Sequence, residues 1–127
     1  MKKKYFIIAG ESSGDAHGGL LMEEMLNFNN NILFDGIGGK KMEEFGLSSL
    51  YDLDKMAVMG FVEVLKNYSF FKSVEKEVLK KISTQKYDGI ILIDYPGFNL
   101  RIAKKIKSIS PELSIYYYIS PQIWAWK

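Results

Sequence analysis

The chain of 127 residues is 47% apolar and 25% charged, and 17 Lys and Arg against 15 Asp and Glu leave a formal net charge of +2. One domain of ordinary globular composition is expected; the net charge says little as a sum, so the placement of the charges matters more, and no nucleic-acid partner is expected. Cysteine is absent, which excludes disulfides and thiolate metal sites and suits a reducing cytoplasm; no apolar run approaches the roughly 20 residues that span a bilayer.

Lys2-Lys3-Lys4 ahead of Tyr5-Phe6-Ile7-Ile8-Ala9 imitates a signal peptide, but the apolar run is too short and meets Glu11 at once, so it reads as a first strand. Gly10 to Asp15 is then a strand-to-helix turn, followed by a helix from about Asp15 to Asn27 that ends at Asn29-Asn30-Asn31. Ile32–Asp35 is a second strand, and Gly36-Ile37-Gly38-Gly39 turns into a short helix stopped by Gly46. Leu47–Leu53 is irregular or a short strand. Val74, Val78, Leu79 and Ile82 recur at helical spacing between Ser69 and Thr84. Strand Gly89–Ile93 follows, then a helix with Phe98, Ile102, Ile106 and Ile109 as its inner face, and a last strand over Ser114–Ile119. Strands alternating with helices predict βαβ units and a mainly parallel sheet. Two tryptophans, Trp124 and Trp126, come immediately after that strand with nothing downstream to pack on, so the chain is expected to be part of something larger.

The stretch Ile90 to Arg101 organises the rest. Ile90-Ile91-Leu92-Ile93 reads as a strand buried on both faces. Asp94 sits where it ends, at the head of a turn that Pro96 stiffens and Gly97 bends. Open α/β sheets bind ligands outside the carboxyl ends of their strands, which makes Asp94 a candidate for chemistry; the competing reading is that it orders the turn. Arg101, farther along, is placed either to bind a phosphate, to hold Asp94, or simply to solvate the surface.

Gly10-Glu11-Ser12-Ser13-Gly14 fits the G-x-S-x-G pattern of a nucleophile elbow, whose histidine follows the serine and the acid in the chain. The one histidine, His17, lies five residues past Ser12 with none after it, so no triad can be completed, and the full G-x-G-x-x-G fingerprint is missing too. What remains is a loop of small residues, with Gly10, Gly14, Gly18 and Gly19, feeding a helix N-terminus that can meet an anion or a sugar. The alternative is a tight connection with Asp15 as N-cap. His17 reads as a helix residue near the site, since a metal would need further ligands.

Met56 to Leu65, with Tyr68, Phe70 and Phe71, is too apolar for a surface loop and too irregular for one helix face. It is either core or an exposed patch for lipid, with Lys66, Lys72, Lys76, Lys80 and Lys81 near enough to meet anionic head groups.

Several of these stretches together resemble the lipid-A-disaccharide synthase family: Ala9-Gly10-Glu11-Ser12-Ser13-Gly14-Asp15, Gly36-Ile37-Gly38-Gly39 with Met42 and Gly46, Met56–Leu65, Ile93–Asn99, and Tyr118-Ile119-Ser120-Pro121-Gln122-Ile123-Trp124-Ala125-Trp126. They keep that family's order and spacing from about Tyr5 to the last residue. The resemblance implies an α/β, Rossmann-like, mainly parallel sheet flanked by helices, forming the N-terminal half of a two-domain GT-B-type glycosyltransferase. This chain would be most of that acceptor-side domain, without the C-terminal half that holds the nucleotide.

The chemistry implied is the joining of UDP-2,3-diacylglucosamine to 2,3-diacylglucosamine 1-phosphate in a β-1,6 linkage, with inversion and release of UDP, and with no metal or redox cofactor. Such an enzyme of lipid A biosynthesis would be cytoplasmic and peripheral at the inner membrane. Inversion needs a base for the attacking sugar hydroxyl. Asp94 is first choice for that role and Glu11 second; where many members read D-x-P-D-F-N, this chain has Gly97 in place of the second acid. Gly10, Ser12, Gly14, Asp15, Asn99, Arg101 and Ser120 would be substrate-binding, with Asn99 supporting Asp94. Val58, Met59, Phe61, Val62, Val64, Leu65, Phe70 and Phe71 would contact acyl chains or the membrane surface. Without the resemblance, two further classes stay open: a flavodoxin-like binding module holding a phosphorylated ligand at Gly10–Asp15 without catalysis, and a lipid-surface adaptor using residues 56–71.

Overall fold

A computed structural model describes residues 2–10, 12–52 and 68–118. Five strands, β1 (Lys3–Ala9), β2 (Ile32–Gly38), β3 (Leu47–Asp52), β4 (Gly89–Ile93) and β5 (Ile115–Tyr118), form one sheet in the order β3-β2-β1-β4-β5. Every pairing is parallel. Among the described residues four helices alternate with them: α1 (Ser12–Phe28), α2 (Lys40–Glu44), α3 (Tyr68–Thr84) and α4 (Pro96–Ile109). This is the Rossmann-like α/β arrangement expected from the alternation of strand and helix. The segment Leu47–Asp52, left open between strand and irregular chain, is a strand.

Side chains alternate along the central strands and so build two cores. Ile7, Ala9, Ile91 and Ile93 face one way and pack with Met22 of α1 and Met42 of α2. Phe6, Ile8, Ile90 and Leu92 face the other way and pack with Val74, Val78 and Ile82 of α3 and Phe98, Ile102 and Ile106 of α4. All five residues of β4 are buried, which is why its sequence is a continuous apolar run rather than an alternating one. The inner face of α4 is Phe98, Asn99, Ile102 and Ile106. Ile109, expected on that face, is 50% exposed: it is the last residue of the helix and lines an open groove with Leu79 and Ser83 of α3.

The order of strands places a reversal at the centre. From β1 the chain steps outward through β2 to β3, then returns to the opposite side of β1 for β4 and continues outward to β5. The carboxyl ends of β1 and β4 are therefore neighbours whose connections leave in opposite directions, and such a point opens a crevice for ligands.

The two helices on the β4 side are tied by a buried carboxylate that the sequence did not single out. Glu75 of α3 is 3% exposed. Its oxygens accept from Arg101 Nε at 2.8 Å and Lys105 Nζ at 2.6 Å, both on α4, and Lys72 Nζ lies 3.9 Å away. Burial pushes the Glu75 carboxyl up, but the hydrogen bonds and charges of Lys105 and Arg101 outweigh it and hold it below its ordinary value of 4.5. A carboxyl held low in the folded state stabilises fully above pH 4.5, and that contribution is lost as the pH falls through the folded value. Glu75→Gln is expected to cost about 1–2 kcal/mol at neutral pH, since both cations are partly solvated and can turn to water. The variant should also show a shallower loss of stability below pH 4.5; urea unfolding across pH 3–7 checks both, and an unchanged acid limb would remove Glu75 as its source.

Candidate functional site

The site begins at the last residues of β1 and β4, where Ala9 pairs with Ile93. The first turn of α1 lies across both strands: a Cβ built on Gly14 would stand 3.4 Å from Ala9 Cβ and 3.6 Å from Ile93 Cγ2. The helix N-terminus, with its unpaired backbone N–H groups, thus opens at the reversal point.

Asp94 follows β4 directly. It adopts φ +47°, and Tyr95 after it has φ +47° and ψ +63°. Two successive non-glycine residues in the left-handed region are uncommon, at a cost of order 1–3 kcal/mol each, and a residue before proline is normally extended. The chain is bent by these two residues. Gly97, expected to make the bend, lies within the first turn of α4, where Pro96 occupies an opening position that does not need its N–H.

Several groups hold the strained turn. The Asp94 N–H donates to the Tyr118 carbonyl at 2.9 Å. The Asp94 carbonyl oxygen accepts from Asn99 Nδ2 and from the Tyr117 hydroxyl, each at 2.8 Å. Asn99 Nδ2 also donates to the Ile93 carbonyl at 3.1 Å, and Asn99 N–H to the Tyr95 carbonyl at 3.0 Å. Asn99 is completely buried. Its amide orientation follows from those bonds, because the flipped form would press an oxygen against two carbonyls. Its Oδ1 is buried with no hydrogen-bond partner among the described residues. The Tyr95 ring stacks on Phe98 with centroids 6.4 Å apart and covers the end of β1: a Cβ on Gly10 would stand 2.2 Å from Tyr95 Cδ2. Only glycine at position 10 leaves room for that ring.

Asp94 is half-buried. The bonds of the turn hold the backbone from which its carboxylate projects, at the carboxyl end of β4. Tyr117 is also half-buried, and burial, followed by the Asp94 charge, raises its phenol above the usual range. It was not singled out in the sequence: Tyr116-Tyr117-Tyr118 look alike there, and only the side facing α4 distinguishes the middle one.

Other candidates sit elsewhere. The structure starts α1 at Ser12, so Asp15 is inside its first turn rather than its N-cap. The Asp15 carboxylate is 7% exposed and accepts from the backbone N–H groups of Gly39 at 2.8 Å, Lys41 at 3.1 Å and Met42 at 3.1 Å. It caps α2, whose own N-cap residue, Gly39, has no side chain to do so. These three bonds use both of its carboxylate oxygens and give Asp15 a structural role. Gly18 and Gly19, grouped above with the ligand loop, instead allow α2 to approach α1: Cβ atoms there would meet Met42 Sδ at 2.6 Å and Lys41 Cβ at 3.2 Å. Arg101 Nε is engaged by Glu75. The His17 ring lies 5.7 Å from that of Tyr118, near the end of β5. Glu11, Ser120 and Val58, Met59, Phe61, Val62, Val64 and Leu65 lie outside the described residues, as do the side chains of Ser12, Phe70 and Phe71. Among the described residues, no three His, Cys, Asp or Glu side chains group to hold a metal, and no helix is long and apolar enough to cross a membrane.

Comparison with known proteins supplies the rest. A family model described as Lipid-A-disaccharide synthetase matches residues 5–127. The chain is 42% identical over 125 residues to the Lipid-A-disaccharide synthase of Geobacter metallireducens, covering 98% of this chain and 32% of that protein. It is 44% identical over 121 residues to Lipid-A-disaccharide synthase 1 of Legionella pneumophila, covering 95% and 31%. The Coxiella burnetii Lipid-A-disaccharide synthase is 37% identical over 125 residues, covering 98% and 33%. The chain thus spans about a third of the length of the curated relatives it matches.

Proposed function

Since the chain belongs to the lipid-A-disaccharide synthetase family, we propose that it is the N-terminal, acceptor-side domain of a longer, two-domain GT-B-type glycosyltransferase of lipid A biosynthesis. The reaction is the joining of UDP-2,3-diacylglucosamine to 2,3-diacylglucosamine 1-phosphate, with inversion at the donor anomeric carbon. The observation that carries this reading is Asp94, a carboxylate fixed on an over-determined left-handed turn where the winding of the sheet reverses.

In this reading an Asp94 oxygen takes the proton of the acceptor 6-hydroxyl as the oxygen of that hydroxyl attacks the donor anomeric carbon. The bond from that carbon to the diphosphate breaks, and UDP departs with its electron pair. Positioning both sugars in line supplies much of the rate. Glu11, next after Gly10, is the alternative base. Gly10, Ser12 and Gly14 line the acceptor side, where the α1 N-terminus can meet an anionic group; Ser120 completes the substrate-binding set, and the nucleotide is held by the C-terminal half. Val58, Met59, Phe61, Val62, Val64, Leu65, Phe70 and Phe71 meet acyl chains at the cytoplasmic surface of the inner membrane, where the enzyme is peripheral.

The full-length protein given both lipid substrates is expected to release UDP and form the disaccharide, followed by mass spectrometry. Folded protein that releases no UDP, yet binds a phosphorylated sugar, would instead be a binding module. Replacing Phe61, Val64 and Leu65 together by serine should reduce co-sedimentation with anionic liposomes; unchanged sedimentation of the folded variant would assign those residues to the core.

A further inference from the structure

The Asp94 turn depends on a strand that is distant in sequence. Two of the groups holding it belong to β5: the Tyr118 carbonyl, which receives the Asp94 N–H, and the Tyr117 hydroxyl, which donates to the Asp94 carbonyl at 2.8 Å. The first is the ordinary continuation of a parallel ladder in which Ile93 pairs with Tyr118. The second is not. Tyr117 pairs with Leu92, two residues before Asp94, and its side chain packs on the α3 and α4 side of the sheet. From there its hydroxyl reaches past the strand end to the same carbonyl oxygen that Asn99 Nδ2 holds at 2.8 Å.

Two donors converging on one carbonyl oxygen fix the plane of the peptide that follows Asp94. With the Asp94 N–H held by the Tyr118 carbonyl on the other side, both peptides that flank the Asp94 Cα are fixed, and with them the direction of its Cα–Cβ bond. A backbone carbonyl can only accept, so the Tyr117 hydroxyl is the donor in this bond. Burial and the neighbouring Asp94 charge favour the protonated phenol that donates.

We infer that Tyr117 is a positioning residue for the reaction, and that its hydroxyl, acting with Asn99 on the Asp94 carbonyl, holds the Asp94 carboxylate at the angle from which it takes the acceptor proton. This rests on Asp94 being the base. Tyr117 itself touches no reacting atom.

The test compares Tyr117→Phe, Asp94→Asn and the double variant in the full-length enzyme. Tyr117→Phe keeps the ring and removes one donor, and should lower kcat about 10- to 100-fold, as small displacements of a reacting group do, with KM for both lipid substrates unchanged. In the Asp94→Asn background, the same substitution should have no further effect, because no carboxylate remains to be aimed. A 4-aminophenylalanine at position 117, which restores an N–H donor at the same reach, should recover most of the lost kcat. It also provides the folded comparison if Tyr117→Phe unfolds. Wild-type kcat in Tyr117→Phe, or an equal loss with and without Asp94, would overturn the inference. Full turnover in Asp94→Asn alone would instead overturn the assignment of the base.

Discussion

Asp94→Asn in the full-length enzyme is expected to lower kcat about 10²- to 10⁴-fold, the range lost with a positioned general base, while the fold and substrate binding persist. The choice of asparagine matters. Asp94 has φ +47°, and Asn is among the few residue types that tolerate the left-handed region, so the substitution keeps the turn where alanine would add strain. The hydrogen bonds to Tyr118, Asn99 and Tyr117 use the Asp94 backbone N–H and carbonyl, and an amide side chain leaves them in place. The variant therefore removes the proton acceptor and the side-chain charge while the backbone bonds of the turn persist. If Asp94 merely ordered its turn, Asn would do so equally well and turnover would be retained. A single-turnover measurement of disaccharide formation, beside a circular dichroism melt, separates the two, and retained turnover would remove Asp94 as the base.

Gly36→Ala should unfold the domain or destabilise it by about 3–5 kcal/mol, in the range reserved for strain and overlap that cannot relax. Gly36 has φ +151°, and a Cβ there would stand 1.8 Å from the Ile7 carbonyl oxygen, with Ile7 C and N at 2.8 and 2.9 Å. These are main-chain atoms of the central strand, paired in register with Gly36 itself. They have no rotamer to escape into, and moving them would break the ladder two residues before Ala9 at the site. Gly97→Ala is the control. A Cβ there meets nothing within 4 Å, and in the first turn of a helix it should be neutral or stabilise by about 0.5–1 kcal/mol. Urea unfolding of the pair tests the claim, and equal midpoints would refute it.

Local patterns carried most of the fold. The apolar run Ile90–Ile93 marked β4, the spacing of Val74, Val78 and Ile82 marked the buried face of α3, and the alternation of elements implied the parallel sheet that is observed. The position of Asp94 at a strand end was equally legible, because it depends on neighbours in sequence. What could not be read depends on partners far along the chain. Asp15 resembles any N-terminal acid until Gly39, 24 residues later, lays a helix end against it. Arg101 offers itself to a phosphate or to Asp94 until Glu75 arrives from α3. The bend at Asp94 and Tyr95 defies residue preference: a glycine stood two positions farther on, and local rules chose it. A non-glycine left-handed pair persists only where the surroundings enforce it, and those surroundings include β5.

That dependence on β5 has a kinetic side. The strand that grips the Asp94 amide and carbonyl comes last in the chain among the described elements and lies at the rim of the described sheet. A chain emerging from the ribosome can therefore assemble β1, α1 and β4 with their buried apolar faces and still have no aimed carboxylate, because the residues that set its angle have yet to dock. The formation of the two cores and the setting of the Asp94 turn are thus separable steps, and the second waits on β5.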